Sequence, residues 1–296
     1  MPLVATLVTD PSNPVLSQSL AQQATKAVAS LPPVWLADGI ACDIEIPPGK
    51  TADEVHRLLS NVFEARPVDI VIQESVGRKK RLLIADMDST MIAQECIDEL
   101  AAEAGFYDRV AAVTRRAMNG EIEFEAAVRE RVALLKGLET DVVDRVLRDR
   151  ITLTPGGPQL LATMKANGAY AALVSGGFTV FTSRIAEILG FDEHRANTLQ
   201  HSNGVFDGTV AEPILGQQAK VDALQELIRQ LGITAQETMA VGDGANDLGM
   251  LGIAGSGVAL HAKPRVAAKA KMRVDHGDLT ALLYIQGYKQ DEFAET

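Results

Sequence analysis

The chain has 296 residues, of which 47% are hydrophobic and 23% are charged, and its formal net charge is −11 at pH 7. This length suffices for two domains with cores of their own. The negative charge argues against general nucleic-acid binding, which requires a basic surface to neutralise phosphates. No apolar stretch reaches the roughly 18 residues of a membrane span, and no basic segment leads into an apolar run at the N-terminus. We therefore expect neither membrane nor nucleic-acid partners, and no secretory signal.

The cysteines and the basic residues add little that points to function. Cys42 and Cys96 are the only cysteines, and their spacing matches no metal-binding motif. Two free thiols are typical of a reduced compartment, so we expect a cytoplasmic protein. The one dense basic run, residues 78–81, precedes an apolar segment and is interpreted as a solvated linker.

Residues 1–76 have the pattern of a small α/β domain. Short apolar strands alternate with helical segments, in the order strand 3–8, helix 15–29, strand 41–46, helix 52–65 and strand 68–72. No catalytic combination of residues occurs there. In topology the segment resembles ACT-type regulatory domains, which implies binding of a small amino acid, with serine feedback as one form, or formation of a homodimer. A purely structural module is the alternative.

Residues 77–296 have the pattern of a larger α/β domain. Apolar strands are predicted at 82–85, 169–174, 238–241, 257–260 and 272–274. Continuous apolar strands separated by helices predict a mostly parallel, Rossmann-like sheet that is covered on both faces.

Two further segments of this domain have distinct patterns. Residues 92–150 are charged and alanine-rich with helical spacing, which predicts a helical cap inserted after the first strand. Asn203-Gly204 predicts a β-hairpin within residues 201–214. The helix 217–231 has an apolar stripe and ends at Gly232.

Three predicted strands end in polar clusters rather than in ordinary loops. These clusters are Asp86-Met87-Asp88-Ser89-Thr90, Ser175-Gly176-Gly177 and Gly242-Asp243-Gly244-Ala245-Asn246-Asp247. Ligands of parallel sheets bind at the carboxyl ends of the strands, so we expect the clusters to meet in one crevice. Each cluster alone has an ordinary explanation as a turn. Their occurrence in this order, with Lys220 starting a helix between the last two, predicts a phosphoryl-transfer site.

The residue types suit that chemistry. Of two carboxylates after one strand, one can attack phosphorus and the other can protonate the leaving oxygen. The Ser175 hydroxyl and the glycine amides form an anion cradle, and Lys220 offers a point charge. Asp243 can complete an oxygen shell for Mg²⁺, which is typically held by one or two carboxylates. An EF-hand calcium loop is the competing interpretation, but its spaced carboxylates and terminal glutamate are missing.

These residues in this order resemble the haloacid dehalogenase superfamily of phosphotransferases, over about residues 81–285. The resemblance implies Asp86 as the nucleophile and Asp88 as the general acid and base. It implies Mg²⁺ bound by Asp86, the backbone carbonyl of Asp88 and Asp243.

The same resemblance assigns the phosphate-binding residues. Ser175, Gly176 and Lys220 would hold the phosphate. Asn246 would lie beside the phosphate and the metal, and Asp247 would support the metal and its waters.

Within that superfamily the chain resembles the phosphoserine phosphatases, which carry a helical cap after the first motif. The resemblance implies that Glu95 reads the substrate ammonium and that Arg131 pairs with its carboxylate, with Met118 and Phe124 nearby. One fixed anion and one guanidinium are what a zwitterionic amino-acid phosphate requires. Taken alone, each is a single residue on a charged helix, for which a solvated role is common.

The resulting hypothesis is Mg²⁺-dependent hydrolysis of O-phospho-L-serine to L-serine and phosphate through an aspartyl-phosphate, the last step of L-serine biosynthesis. Two alternatives remain open at this point. The first is the same chemistry on another small phosphomonoester, such as a phosphorylated amino alcohol. The second is a serine-binding sensor with a vestigial hydrolase domain, which would be expected to have lost at least one of Asp86, Asp88, Lys220 and Asp243.

Overall fold

The computed structural model describes residues 2–64, 66–118 and 121–296, with the side chain of Met118 outside the described part. The first elements are β1 (Leu3–Val8), α1 (Gln18–Ala27), β2 (Val34–Ala37), β3 (Ala41–Ile46), α2 (Ala52–Phe63) and β4 (Asp69–Glu74). They form an antiparallel sheet of order β2-β3-β1-β4. The βαββαβ succession is the ferredoxin-like arrangement, and it is consistent with the expected ACT-like fold.

Capping residues explain where the two helices that pack on this sheet begin. The hydroxyls of Ser17 and Thr51 accept hydrogen bonds from the backbone N–H groups of Leu20 and Glu54, and so cap the helix starts. Apolar residues of α1 and α2 pack with β1 and β3 in one core cluster. Strand β2 was not predicted, because it is a four-residue edge strand that directly follows Pro32-Pro33.

The second part of the chain contains a helical cap and an α/β core. Its elements are β5 (Leu82–Ala85), α3 (Cys96–Glu103), α4 (Tyr107–Met118), α5 (Phe124–Ala133), α6 (Val142–Asp149), α7 (Gly157–Ala166), β6 (Tyr170–Phe178), α8 (Thr179–Leu189), β7 (Glu193–Asn197), β8 (Leu199–Ser202), β9 (Val205–Val210), α9 (Gln217–Leu231), β10 (Thr238–Gly242), α10 (Leu248–Ile253), β11 (Ser256–Leu260), α11 (Pro264–Ala267), β12 (Met272–Val274) and α12 (Ala281–Ile285).

Six of these strands form a parallel sheet of order β12-β11-β10-β5-β6-β7. Strand β5 lies at the centre and contributes to both faces: Leu83 and Ala85 pack into one core cluster, and Leu82 and Ile84 into another. The chain proceeds from β5 to β6 and β7 on one side and returns to β10 on the other. The strand order therefore reverses at β5, and the predicted Rossmann-like α/β fold with its helical cap is confirmed.

The cap follows β5, and a hairpin packs against it. Strands β8 and β9 form the predicted hairpin, in which Asn203 and Gly204 both have positive φ. The backbone N–H of Gly137 donates to the carbonyl oxygen of Phe206 at 2.8 Å. The hairpin therefore connects the end of the cap helices to the sheet domain.

The basic run at residues 78–81 is the solvated linker that the sequence suggested only in part: Lys79 and Arg81 are exposed. Arg78 and Lys80 are largely buried. The Arg78 guanidinium donates to both carboxylate oxygens of Asp43, at 2.6 and 3.2 Å, and to the carbonyl oxygens of Tyr284 and Ile285. The prediction was wrong for Arg78 because the first sheet covers it, and a charged residue stays solvated only where no other part of the chain packs on it.

Replacing Arg78 with Met is therefore expected to lower the free energy of unfolding by about 3 kcal/mol, since it leaves Asp43 as an unpaired buried charge. Urea unfolding of the full chain would measure the loss. Lys79→Met is the matched control, because Lys79 pairs with Glu292 at 3.4 Å on the exposed surface, where a pair contributes about 0–1 kcal/mol. Equal losses for the two variants would contradict the proposed role of Arg78.

Within the described part of the chain, no helix is both long and apolar enough to span a membrane.

Candidate active site

Asp86 directly follows strand β5 and lies at the point where the strand order reverses. The backbone N–H of Asp86 donates to the carbonyl oxygen of Val241 at 3.0 Å, which continues the pairing of β5 with β10. One carboxylate oxygen of Asp86, Oδ1, accepts from the N–H of Met87 at 2.7 Å and lies 2.7 Å from Nζ of Lys220. These contacts fix the direction of the carboxylate.

Lys220 is buried behind Asp86 on the first turn of α9. Its ammonium also donates to Oδ1 of Asp247 at 2.6 Å, and Asp247 Oδ2 accepts the N–H of Gly244 at 2.9 Å. Burial lowers the pKa of Lys220, but Asp86 and Asp247 outweigh that effect, so the pKa is raised overall and the lysine stays charged. Gly242 is required here because a Cβ would collide with the Asp247 carboxyl.

Three buried carboxylates meet at this edge of the sheet. Oxygens of Asp86, Asp243 and Asp247 all lie within 4.8 Å of one another. Burial and the charge of Asp86 raise the pKa of Asp247 to about 7, although Lys220 opposes the shift. Burial is also the main reason that the pKa of Asp243 rises to about 6, and Asp86 adds to it against the effect of Lys263. A set of hard oxygen donors with excess negative charge fits a divalent cation such as Mg²⁺. Asp86 and Asp243 line the cavity described below and Asp247 does not, so these two are the better candidates for direct ligands.

Asp88, two residues after Asp86, is half-buried and lines the same cavity. Its Oδ1 accepts the N–H of Cys96 at 3.2 Å. Burial, followed by the charge of Glu95, raises the pKa of Asp88 to about 8. The side chain fits because Gly177 has no Cβ, which would lie 2.8 Å from Asp88 Oδ2. A carboxyl that is protonated near neutral pH can donate a proton to a leaving group.

The turn that the sequence predicted at residues 175–177 is the irregular end of β6, where the pairing with β7 shifts, and it lies beside the Asp88 carboxyl. Ser175 Oγ accepts the N–H of Gly177 at 2.9 Å. The side chain of Asn197, at the end of β7, donates to the carbonyl oxygens of Gly176 and Leu215 and accepts the N–H of Leu215. Asn197 therefore holds the turn in place. Asn197 was not predicted as a site residue, because β7 was not predicted.

The cap and its connection supply the wall that faces the carboxylates. Glu95 is the N-cap residue of α3, and its Oε1 accepts a hydrogen bond from the hydroxyl of Ser89 at 2.9 Å. Ser89 has φ of +54°, a left-handed conformation that is unusual for serine and turns its hydroxyl toward Glu95. Arg131, on α5, donates through Nε to the carbonyl oxygen of Ala127 at 3.3 Å. Among the described residues its guanidinium forms no ion pair, although the charges of Asp98 and Glu95 act on it.

Two polar atoms of this wall have no hydrogen-bond partner among the residues described. They are Oδ1 of Asp98, on α3, and Oγ1 of Thr114, on α4. Burial, followed by the charge of Glu95, raises the pKa of Asp98, and the charge of Arg131 opposes the shift. Neither residue was predicted as part of the site, because an Asp or a Thr in a helical segment is most often an ordinary surface residue.

A cavity of about 760 Å³ brings the predicted residues together. Those that line it are Asp86, Asp88, Glu95, Arg131, Ser175, Gly176, Asp243 and Asn246, together with Phe124, Asp98, Thr114 and Lys263. Lys220 and Asp247 lie behind Asp86 and do not line the cavity. The structure thus places Ser175, Gly176 and Asn246, the carboxylates of Asp86, Asp88 and Asp243, and the cap residues Glu95 and Arg131 around one space.

The raised pKa values of Asp88, Asp243 and Asp247 make the stability of the metal-free protein depend on pH. In the unfolded chain these carboxyl groups have pKa values of about 4. Between about pH 4 and pH 8 the folded protein therefore binds more protons than the unfolded chain. The free energy of unfolding in chelator is therefore expected to fall as the pH rises through this window. Mg²⁺ should raise the melting temperature more at pH 8 than at pH 5, which thermal unfolding would measure. A Mg²⁺ shift that is the same at both pH values would contradict the expectation.

Comparison with known proteins agrees with this geometry. The family model of the haloacid dehalogenase-like hydrolases matches residues 83–252, more than half of the chain. A relative from Schizosaccharomyces pombe, described as a probable phosphoserine phosphatase, is 45% identical over 222 residues, which are 74% of each chain. A phosphoserine phosphatase from Archaeoglobus fulgidus is 44% identical over 72% of this chain, which spans 62% of that protein's length.

A solved structure extends the similarity to nearly the whole chain. The unliganded structure of a probable phosphoserine phosphatase from Vibrio cholerae matches with a TM-score of 0.78 and 34% identity, over 97% of this chain and 86% of that one. The fold, the order of the polar clusters and these similarities agree. The chain belongs to the haloacid dehalogenase-like hydrolases and, within them, to the phosphoserine phosphatase family.

Proposed function

We propose that this protein hydrolyses O-phospho-L-serine to L-serine and phosphate, with Mg²⁺ as its metal. One observation carries the choice of substrate: a cap guanidinium without a carboxylate partner, Arg131, and a carboxylate, Glu95, face the same cavity as Asp86. An amino-acid phosphate has one carboxylate and one ammonium to match them. The names of the relatives point to the same substrate.

The first half-reaction transfers the phosphoryl group to the protein. A carboxylate oxygen of Asp86 attacks phosphorus in line, forming an O–P bond while the bond from phosphorus to the seryl oxygen breaks. Asp88 gives its proton to that oxygen, so serine leaves as a neutral alcohol. The raised pKa of Asp88 supports this role, because the carboxyl then still holds a proton near neutral pH.

The second half-reaction releases phosphate. Asp88, now ionised, takes a proton from a water molecule whose oxygen attacks phosphorus, and the bond to Asp86 breaks. Asp86 is regenerated as a carboxylate and Asp88 is protonated again, so the cycle closes.

The surrounding groups balance charge and hold the phosphate. Ser175 and the amides of its turn donate to the phosphate oxygens, with Asn246 on the neighbouring side. Lys220 holds the Asp86 carboxylate in position through its 2.7 Å contact. Mg²⁺, held by Asp86, the carbonyl of Asp88 and Asp243 with Asp247 in support, would neutralise charge on the transferring group.

The division of the chain is part of the proposal. Residues 77–296 would form the phosphatase domain, with residues 92–150 as its cap. Residues 1–76 would form an ACT-like domain that serves regulation or homodimer formation. We also propose a cytoplasmic location, which agrees with the free, buried thiols of Cys42 and Cys96.

The test is phosphate release from a panel of small phosphomonoesters, with Mg²⁺ and with chelator. A strong, Mg²⁺-dependent preference for phosphoserine is the expected result. Preference for phosphoethanolamine would indicate a phosphorylated amino alcohol as the substrate and would overturn the role of Arg131. No release from any ester would favour a serine-binding sensor, and binding of serine to the inactive protein would then be measured.

A further inference from the structure

Lys263 connects two carboxylates that have different tasks under the proposed function. It lies in the loop after β11, the strand beside β10, and its backbone N–H donates to the carbonyl oxygen of Asp243 at 3.2 Å. Its ammonium nitrogen is 3.3 Å from Oδ2 of Asp243 and 3.7 Å from Oε1 of Glu95. Asp243 is a proposed metal ligand, and Glu95 is the proposed partner of the substrate ammonium. No relation of Lys263 to either task was predicted from the sequence.

The position of the ammonium follows from the charge of the cavity. Asp86, Asp243 and Glu95 place several carboxylates around it, and each raises the cost of ionising its neighbours. Asp243 is buried, whereas the side chain of Lys263 is 51% exposed. The ammonium therefore provides positive charge at Asp243 while its long stem remains free to move into solvent.

The geometry points to Lys263 as an internal competitor of the metal, an inference that rests on the proposed function. We propose that in the metal-free protein the Lys263 ammonium neutralises Asp243, with Glu95 as its second anchor, and that the divalent cation must displace it to bind. Lys263 thus sets the metal affinity of the site. It holds the acidic cluster together without metal, and it lowers the affinity for metal by the same interaction.

The test is calorimetric titration of the full chain with MgCl₂ in the absence of substrate. Lys263→Met removes the ammonium but keeps much of the apolar stem, and it is expected to bind Mg²⁺ about tenfold more tightly, since a unit charge close to the ion is lost. Lys263→Arg retains the charge and should bind Mg²⁺ like the unmodified protein. Lys269→Met is the matched control, because Lys269 is an exposed lysine six positions further along the chain and does not line the cavity.

A second readout comes from the metal-free protein itself. In chelator, Lys263→Met is expected to melt at a lower temperature than the unmodified protein at pH 8, because Asp243 loses its counter-charge, and saturating Mg²⁺ should remove the difference. Unchanged or weaker Mg²⁺ binding by Lys263→Met would overturn the inference, and so would tighter binding by Lys269→Met to the same extent. These outcomes do not depend on phosphate release, so they are distinguishable from a failure of the proposed phosphatase activity.

Discussion

Replacing Asp86 with Asn is expected to reduce phosphate release from phosphoserine by roughly 10⁴-fold or more, which is the scale for loss of a catalytic nucleophile. The amide keeps the shape of the side chain and can still contact Lys220, but its oxygen is a poor nucleophile toward phosphorus. The reaction then has no path through an aspartyl-phosphate. Initial rates with Mg²⁺ at saturating phosphoserine would measure the loss.

The same variant should fold as well as the unmodified protein. The charge of Asp86 raises the pKa of Asp247 and of Asp243, so its removal relieves repulsion in the acidic cluster, while Lys220 keeps Asp247 as its counter-charge. In chelator the melting temperature of Asp86→Asn is therefore expected to be equal or higher. A variant that melts normally yet has no activity separates a chemical role from a structural one.

Asp247→Asn is the matched control within the same cluster. Asp247 acts through Lys220 and Gly244, and loss of such a supporting carboxylate typically costs about 10–100-fold in activity or metal affinity. Acid-quenched protein should carry phosphate from labelled phosphoserine in Asp247→Asn but not in Asp86→Asn. Comparable activities of the two variants would contradict the assignment of Asp86 as the nucleophile.

The sheet and the arrangement of the clusters could be predicted because both depend on local sequence. Strands such as Leu82–Ala85 are short, continuous apolar runs, and burial on both faces of a parallel sheet requires such runs. A polar cluster directly after the run must then lie at the carboxyl edge. The structure accordingly brings Asp86, Ser175 and Asp243 to one cavity.

Strand β7 was not predicted because it lacks such a continuous apolar run. Its sequence, Glu193–Asn197, has three charged or polar residues at its start, since it is the edge strand of the sheet and its outer residues meet solvent. Asn197 went unnoticed with it, although it fixes the turn at Gly176. An edge strand has no apolar signature that distinguishes it from a loop.

The other features that were not predicted depend on contacts between distant parts of the chain. Arg78 is buried against Asp43, 35 positions earlier, and Lys263 reaches Glu95 on the other side of the cavity. A charged residue carries no mark in sequence that tells whether a partner will cover it. Asp98 and Thr114 belong to the same class, because their burial depends on how the cap packs onto the core.

Arg131→Ala is expected to lower kcat/KM for phosphoserine by about 10²–10³-fold, the scale for removing one partner of a buried charge pair, and to leave phosphoethanolamine almost unaffected. The two substrates differ in the carboxylate that Arg131 is proposed to bind. Arg131→Lys should recover part of the loss only, because an ammonium cannot bind a carboxylate in the bidentate geometry of a guanidinium. Steady-state kinetics on both substrates would measure the selectivity.

The neighbouring Arg129 provides the control for this prediction. It lies on the same helix but is exposed and pairs with Glu212 at 2.8 Å and Glu125 at 3.4 Å, so Arg129→Ala should leave both substrates unchanged. Equal losses on phosphoserine and phosphoethanolamine in Arg131→Ala would mean that Arg131 supports the cap rather than the substrate.

The carboxylates around Arg131 explain why its loss should change the preference between phosphoserine and phosphoethanolamine. Asp98 and Glu95 are the carboxylates whose charges act most strongly on its guanidinium. Without the guanidinium, these two carboxylates would face the substrate carboxylate with no intervening cation, so attraction would be replaced by repulsion. A substrate with only an ammonium would meet the same two carboxylates favourably. Loss of Arg131 should therefore shift the preference toward phosphoethanolamine, and not merely weaken binding of every ester.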